Sequence, residues 1–359
     1  MTIDAQPAPA ATFVRSLQSV RGLAALTVCL FHAADLTTPD GALFLAKTSW
    51  VRVLLDGHGA VLLFFVLSGY VLRLSLEDRA ASGATMLQFL GARLFRLYPV
   101  VVAAVLLLTP LAWLLLHVAY APVAILRNAL LLDTSIDGAL WSLQVEAFGS
   151  LGVILAFLAE RRFGRWTAWA ITLALVAWSF TAPALNGPPQ NAMGYSFGFG
   201  YLLAITPAAT RWPRAWALAL LAGALVVFYG AHAAGSVLKQ ILMLIEIGAA
   251  TAIVAAFASP ALRGALQWPP IAGLGAISYS FYALHAAGTW IAINAVALLW
   301  RHGLQGPGAV ATGFVIAVVA TLPIALATYL AVERPGVVLG RRILRGRRPP
   351  APIAVEARA

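Results

Sequence analysis

The sequence predicts an all-α, polytopic membrane bundle of about ten transmembrane helices with both termini in the cytoplasm. Three observations carry that prediction. Apolar runs of about 18 residues or more, the length that spans a bilayer as a helix, recur from end to end. The 359 residues are 61% hydrophobic and only 10% charged, which excludes an ordinary soluble domain. The basic residues are also one-sided: with the N-terminus inside, 19 of the 24 lysines and arginines fall in inner loops and tails. A net charge of +11 therefore reads as membrane topology and excludes a nucleic-acid partner. The single cysteine, Cys29, leaves no disulfide framework to consider.

Taken in order, the predicted spans are 16–36, 59–76, 95–117, 139–159, 166–182, 192–208, 214–231, 238–258, 271–299 and 309–332. Turn chemistry separates them at Thr38-Pro-Asp-Gly41, Asn186-Gly-Pro-Pro189 and Gln305-Gly-Pro-Gly308. Residues 1–14 lack a basic n-region and a small-residue cleavage site, so they read as a disordered cytoplasmic tail before a retained signal anchor. Residues 15–340 read as one transmembrane domain and 341–359 as a basic cytoplasmic tail. No internal repeat is visible. Pro335, in Glu333-Arg-Pro335, is expected to end the last helix.

The first span carries the chemistry around which the others are arranged. Arg21 and His32 are eleven residues apart, which brings both to one helix face, about 16 Å apart along the axis. An ionisable side chain that deep faces protein or water and is a functional candidate by default. The structural alternative is a snorkelling arginine and a histidine hydrogen-bonded between helices. Counting along the predicted spans places His285, Glu146 and Glu246 at a similar depth, which predicts one shared polar cavity. Arg93 and Arg96, at i and i+3, share a face at the inner mouth of the third span and could grip a phosphate, with Pro99 in the first turn. Positive-inside anchoring is the plainer account of that pair. Ser68-Gly69 offers a close approach to backbone, and Trp141 suits an interface belt.

Six stretches together resemble the acyltransferase 3 family of bacterial integral-membrane acyltransferases, across roughly residues 15 to 340. They are Leu17-Gln-Ser-Val-Arg-Gly-Leu-Ala-Ala-Leu with His32, Phe64-Phe-Val-Leu-Ser-Gly-Tyr70, Arg93-Leu-Phe-Arg-Leu-Tyr-Pro99, Trp141-Ser-Leu-Gln-Val-Glu146, Ile277-Ser-Tyr-Ser-Phe-Tyr-Ala-Leu-His285 and Glu333-Arg-Pro335. Each is weak alone, and the order makes the match specific. Leu62 stands where the family often has a polar residue, and no esterase-like domain follows the last helix, so the stand-alone form is expected.

The resemblance implies a membrane O-acyltransferase of the bacterial cytoplasmic membrane. Such an enzyme moves an acyl group, often acetyl, from cytoplasmic acyl-CoA to a hydroxyl of an envelope or exported glycan. Acyl-CoA is then a co-substrate, with no permanently bound cofactor and no metal; the other partners are the acceptor and the bilayer. The residues suit that chemistry. A thioester is already activated, so the site needs a base for the acceptor hydroxyl and cations for the donor phosphates. His32, Glu146 and His285 are the catalytic candidates, and Arg21, Arg93 and Arg96 are the donor-binding ones. Ser68, Gly69, Trp141 and Tyr279 are expected to line the cavity. The competing class is a proton-coupled transporter built on the same buried histidines and carboxylates.

Overall fold

The computed structural model describes residues 9–35, 49–81, 85–181, 193–206, 211–233, 239–262 and 264–345. Its elements in chain order are α1 (Pro9–Ala33), α2 (Trp50–Leu54), α3 (Gly57–Ala81), α4 (Met86–Leu116), α5 (Pro122–Ala129), α6 (Trp141–Phe163), α7 (Trp166–Thr181), α8 (Tyr195–Ile205), α9 (Arg214–Ala233), α10 (Lys239–Ala258), α11 (Pro269–Ala276), α12 (Ser278–Arg301), α13 (Gly306–Thr328) and α14 (Arg334–Arg345). Among the described residues there is no strand. Among the described residues, seven helical segments are long and apolar enough to cross a membrane. The other predicted spans fall on α1 and on two short apolar helices, α7 and α8. The turns expected at residues 38–41 and 186–189, and the tails at 1–8 and 346–359, lie outside the described residues.

Burial separates the core from the rim. The spanning window of α3 is 78% buried, whereas that of α9 is 17% buried, so α3 is the axis and α9 faces outward. Leu106, Trp113, Phe148, Leu155, Leu173, Val226 and Val319 stand exposed around the bundle. A belt of that size is unstable against water and natural against lipid. The chain is a multi-pass membrane protein.

Four local expectations change, each for a physical reason. Thr85 and Gln88 form a reciprocal capping box, with Thr85 Oγ1 accepting the Gln88 N–H at 3.2 Å and Gln88 Oε1 accepting the Thr85 N–H at 2.9 Å. The helix therefore starts at Met86, and Pro99 lies inside α4 instead of in its first turn. The predicted ninth span is broken at Ile277 into α11 and α12. The last span does not end at Pro335. A π turn over Tyr329–Glu333 re-registers the chain, and Pro335 becomes the second residue of α14, where no N–H is required. Finally α1 begins at Pro9, within the predicted tail, and closes at Ala33, so His32 sits in its last turn instead of mid-helix.

Arg73 is buried on α3. Its Nε and Nη2 donate to both carboxylate oxygens of Glu160 on α6, each at 3.0 Å. Tyr201 of α8 donates to the same carboxylate, and the Arg73 guanidinium lies 5.0 Å from the Phe157 ring centroid. A charge inside an apolar bundle persists only with such a partner, and this one locks three helices together.

One close helix crossing places α1 against α11. A methyl group on Gly22 would fall 2.6 Å from Gly275 N, and one on Gly275 would fall 2.6 Å from the Gln18 carbonyl carbon. Only two glycines let these backbones touch. Gly275→Ala must push the helices apart and should cost about 1–3 kcal/mol, the usual range for overpacking. Thermal unfolding of the detergent-solubilised variant checks this, and an unchanged midpoint would contradict the contact.

Candidate active site

The last turn of α1 and the second turn of α12 bring two imidazoles together. His285 Nε2 lies 3.1 Å from His32 Nδ1, with the ring centroids 5.0 Å apart. His32 Nδ1 is also 3.0 Å from the carbonyl of Val28, one turn back on its own helix. His285 Nδ1 is 2.5 Å from the carbonyl of Tyr282. These contacts fix the tautomers when both rings are neutral. A carbonyl only accepts, so His285 carries its proton on Nδ1 and its Nε2 is the acceptor. His32 must then carry its proton on Nδ1, shared between Val28 O and His285 Nε2. The lone pair of His32 is left on Nε2. His285 is almost fully buried, whereas His32 is partly exposed, so the unprotonated nitrogen belongs to the ring that solvent reaches.

A second cluster gathers cations. Arg93 Nη2 donates to Glu146 Oε1 at 2.8 Å and to Ser150 Oγ at 3.1 Å. Ser68 Oγ reaches the same Glu146 oxygen at 3.4 Å. Arg21 and Arg96 lie within electrostatic range of Glu146 and of each other. Three guanidinium groups thus surround one carboxylate, with Glu333 at the edge accepting from Ser280 Oγ at 2.6 Å. The Nε groups of Arg21 and Arg93 are buried without a hydrogen-bond acceptor. Buried, unpaired N–H donors on a net-positive cluster are the signature of an anion site.

Tyr282 stands between the two clusters. A narrow cavity beside the arginine cluster is lined by Arg21, Phe64, Ser142, Glu146, Tyr279 and Tyr282. Tyr282 and Ser142 share a hydrogen bond of 2.6 Å, and the Tyr282 ring lies 5.5 Å from His285 and 5.4 Å from Phe64. The Tyr282 ring therefore touches the histidine pair on one side and lines the arginine cavity on the other.

The arrangement differs in detail from the shared cavity expected of four ionisable groups. Glu146 meets Arg93 and not His32, and Glu246 belongs to a separate group with Asp56 and His232. Arg93 lies within α4, turned inward on Glu146. Of the expected lining residues, Tyr279 lines the cavity and donates to Leu97 O at 3.0 Å. Ser68 reaches it through Glu146. Gly69 instead faces α8, where a methyl group would fall 2.1 Å from Phe197 O, and Trp141 packs edge-on against Phe65, 6.1 Å between centroids. Sequence reasoning passed over Tyr282, Ser142 and Asp137. Tyr282 stands one turn from His285 on the same face, a signal available from spacing alone. Asp137, buried in the loop before α6, is the carboxylate that shares electrostatic range with His32 and Tyr282.

A multi-pass helical bundle with a histidine pair and a buried cluster of arginines around one carboxylate is the class of protein that this geometry defines. A family model described as an acyltransferase domain, Acyl_transf_3, matches residues 14–330, and the chain belongs to that acyltransferase family. Neither the curated proteins nor the solved structures give a match.

Asp137 supplies a pH test. Burial pushes its carboxyl up to about 6, with the Ala139 N–H and His32 opposing that rise. A raised acid favours the protonated native state, so this group's stabilising contribution is fully present below the usual aspartate value, about 3.8, and is lost as pH rises through about 6. Asp137→Asn should remove that slope and melt higher than the parent at neutral pH. Parallel melting profiles for parent and variant between those pH values would refute the assignment.

Proposed function

We propose that the protein is an O-acyltransferase of the bacterial cytoplasmic membrane, with both termini inside. In this reading it carries an acyl group, acetyl first among candidates, from cytoplasmic acyl-CoA to a hydroxyl of an envelope or exported glycan. The observation that carries the reading is the lone pair left on His32 Nε2, on the same helix as Arg21 and about 16 Å from it.

The donor's phosphates would dock against Arg21, Arg93 and Arg96, and the pantetheine arm would extend toward His32 past Tyr282, whose ring touches Phe64 and would have to turn aside to admit it. His32 Nε2 takes the proton of the acceptor hydroxyl as its oxygen attacks the thioester carbonyl. The tetrahedral adduct collapses with cleavage of the carbon–sulfur bond, and the thiolate leaves with the proton held by the imidazolium. His285 acts as a positioning residue, since its Nε2 holds the tautomer of His32. Glu146 holds Arg93 in place and leaves the other two guanidinium groups for the anion.

Two measurements test this. Membranes incubated with acetyl-CoA labelled in the acetyl group should transfer label to glycan, and His32→Ala should lower the rate by about 10²–10⁴-fold while the protein inserts normally. A folded His32→Ala protein with parental turnover would remove the base. Arg96 is the cleaner donor test, because Arg93→Ala would also strand a buried Glu146. Arg96→Ala should raise KM for acyl-CoA by roughly 10- to 150-fold, the cost of one charge-assisted contact, and leave KM for the acceptor unchanged. A shift in acceptor KM alone would place donor binding elsewhere.

A further inference from the structure

Away from that site, Asp56, His232 and Glu246 come together from the turn before α3 and from two other helices. Asp56 caps the start of α3, His232 lies in the last turn of α9, and Glu246 lies in the second turn of α10. One potential ligand atom from each falls within 4.8 Å of the others. We propose that these three side chains form a divalent transition-metal site of the zinc class.

The argument rests on what the two carboxylates lack. Asp56 is 1% exposed and Glu246 5% exposed. Asp56 Oδ1 accepts the Gly59 N–H at 2.8 Å and faces His232 Nδ1 at 3.2 Å. The remaining oxygens, Asp56 Oδ2 and Glu246 Oε1, are both buried, face each other and accept no hydrogen bond from any third group among the described residues. Both point at the same place: a methyl group on Gly59 would fall 2.2 Å from Asp56 Oδ2 and 2.1 Å from Glu246 Oε1. Two carboxylates converging in an apolar surrounding repel strongly unless something positive lies between them. Neither makes an ion pair with a lysine or arginine among the described residues.

One imidazole and two carboxylates are the mixed nitrogen and oxygen donors that zinc accepts, at about 2.0–2.2 Å each, and one divalent ion cancels both negative charges. The Gly59 N–H fixes the Asp56 carboxylate from behind, as the outer partners of metal ligands commonly do. His232 is the half-open member, its side chain 31% exposed, and leaves an entry path and room for a water ligand. Occupied, the site would staple outward-facing α9 to the buried axis α3, independently of the acyl-transfer site.

The full-length protein, purified in detergent and stripped with a chelator, should bind one equivalent of Zn2+, and added Co2+ should give the visible absorption bands of a low-symmetry site. Glu246→Gln keeps the shape and removes one anionic ligand; it and His232→Ala should each weaken Zn2+ binding by at least 100-fold. His302→Ala, at an exposed histidine, should leave the stoichiometry at one. Zn2+ should raise the melting temperature of the parent and not of Glu246→Gln. Failure to bind near one equivalent, or binding that survives in both Glu246→Gln and His232→Ala, would overturn the site. In the first case a shared proton neutralises the pair, and in the second the metal sits elsewhere. Because His232→Ala changes a half-exposed helix end, its result stands even where Glu246→Gln folds poorly.

Discussion

The contact of Gly22 with Gly275 is the constraint on which the histidine pair depends. From that crossing, α1 runs ten residues to His32, and the chain of α11 and α12 runs ten residues to His285. At 1.5 Å per residue α1 rises about 15 Å to His32, while the second chain turns at Ile277 and climbs along α12 to His285. The rings then meet at 3.1 Å. A side chain at either glycine would displace the helices by more than a hydrogen bond tolerates. A pair of residues without side chains thus sets the position of the two that carry the chemistry.

Lipid imposes the second constraint. Nothing in a hydrocarbon surrounding solvates a stray charge, so each buried one must meet its partner on another helix. Arg73 finds Glu160 and Arg93 finds Glu146. These pairs do different work. Arg73 is enclosed by Glu160, Glu77 and two aromatic rings, which leaves its guanidinium with no role beyond joining helices. Arg93 has one carboxylate between itself and two further arginines, so the cluster retains positive charge and unpaired donors. Completeness separates an ion pair that holds the bundle from a cluster that can receive an anion.

Much of this was legible in the chain because membrane solvation acts on local composition. A run of apolar residues announces its helix without reference to any neighbour, and all-helical architecture follows. Arg21 and His32 share a face by the arithmetic of a single helix. Partner choice was not legible in the same way. Depth along a span put Glu146 and Glu246 level with His32, but depth says nothing about which way around its helix a side chain points. Glu146 turned to Arg93, and Glu246 turned to Asp56 and His232. Helix ends also escaped where local chemistry was subtle, as in the capping box that starts α4 early and the π turn that carries the chain past Pro335.

By itself the sequence determined the class of molecule and the approximate position of each apolar helix. Those are consequences of hydrophobicity and of the 3.6-residue period, both properties of a segment taken alone. Only the tertiary structure decided that His285 is the neighbour of His32, that Tyr282 stands between the arginine cluster and the histidine pair, and that Asp56, His232 and Glu246 gather beside α3. Those facts depend on the rotation of each helix about its axis. Rotation is set by close contacts such as Gly22 on Gly275 and Gly69 on Phe197, between residues far apart in the chain.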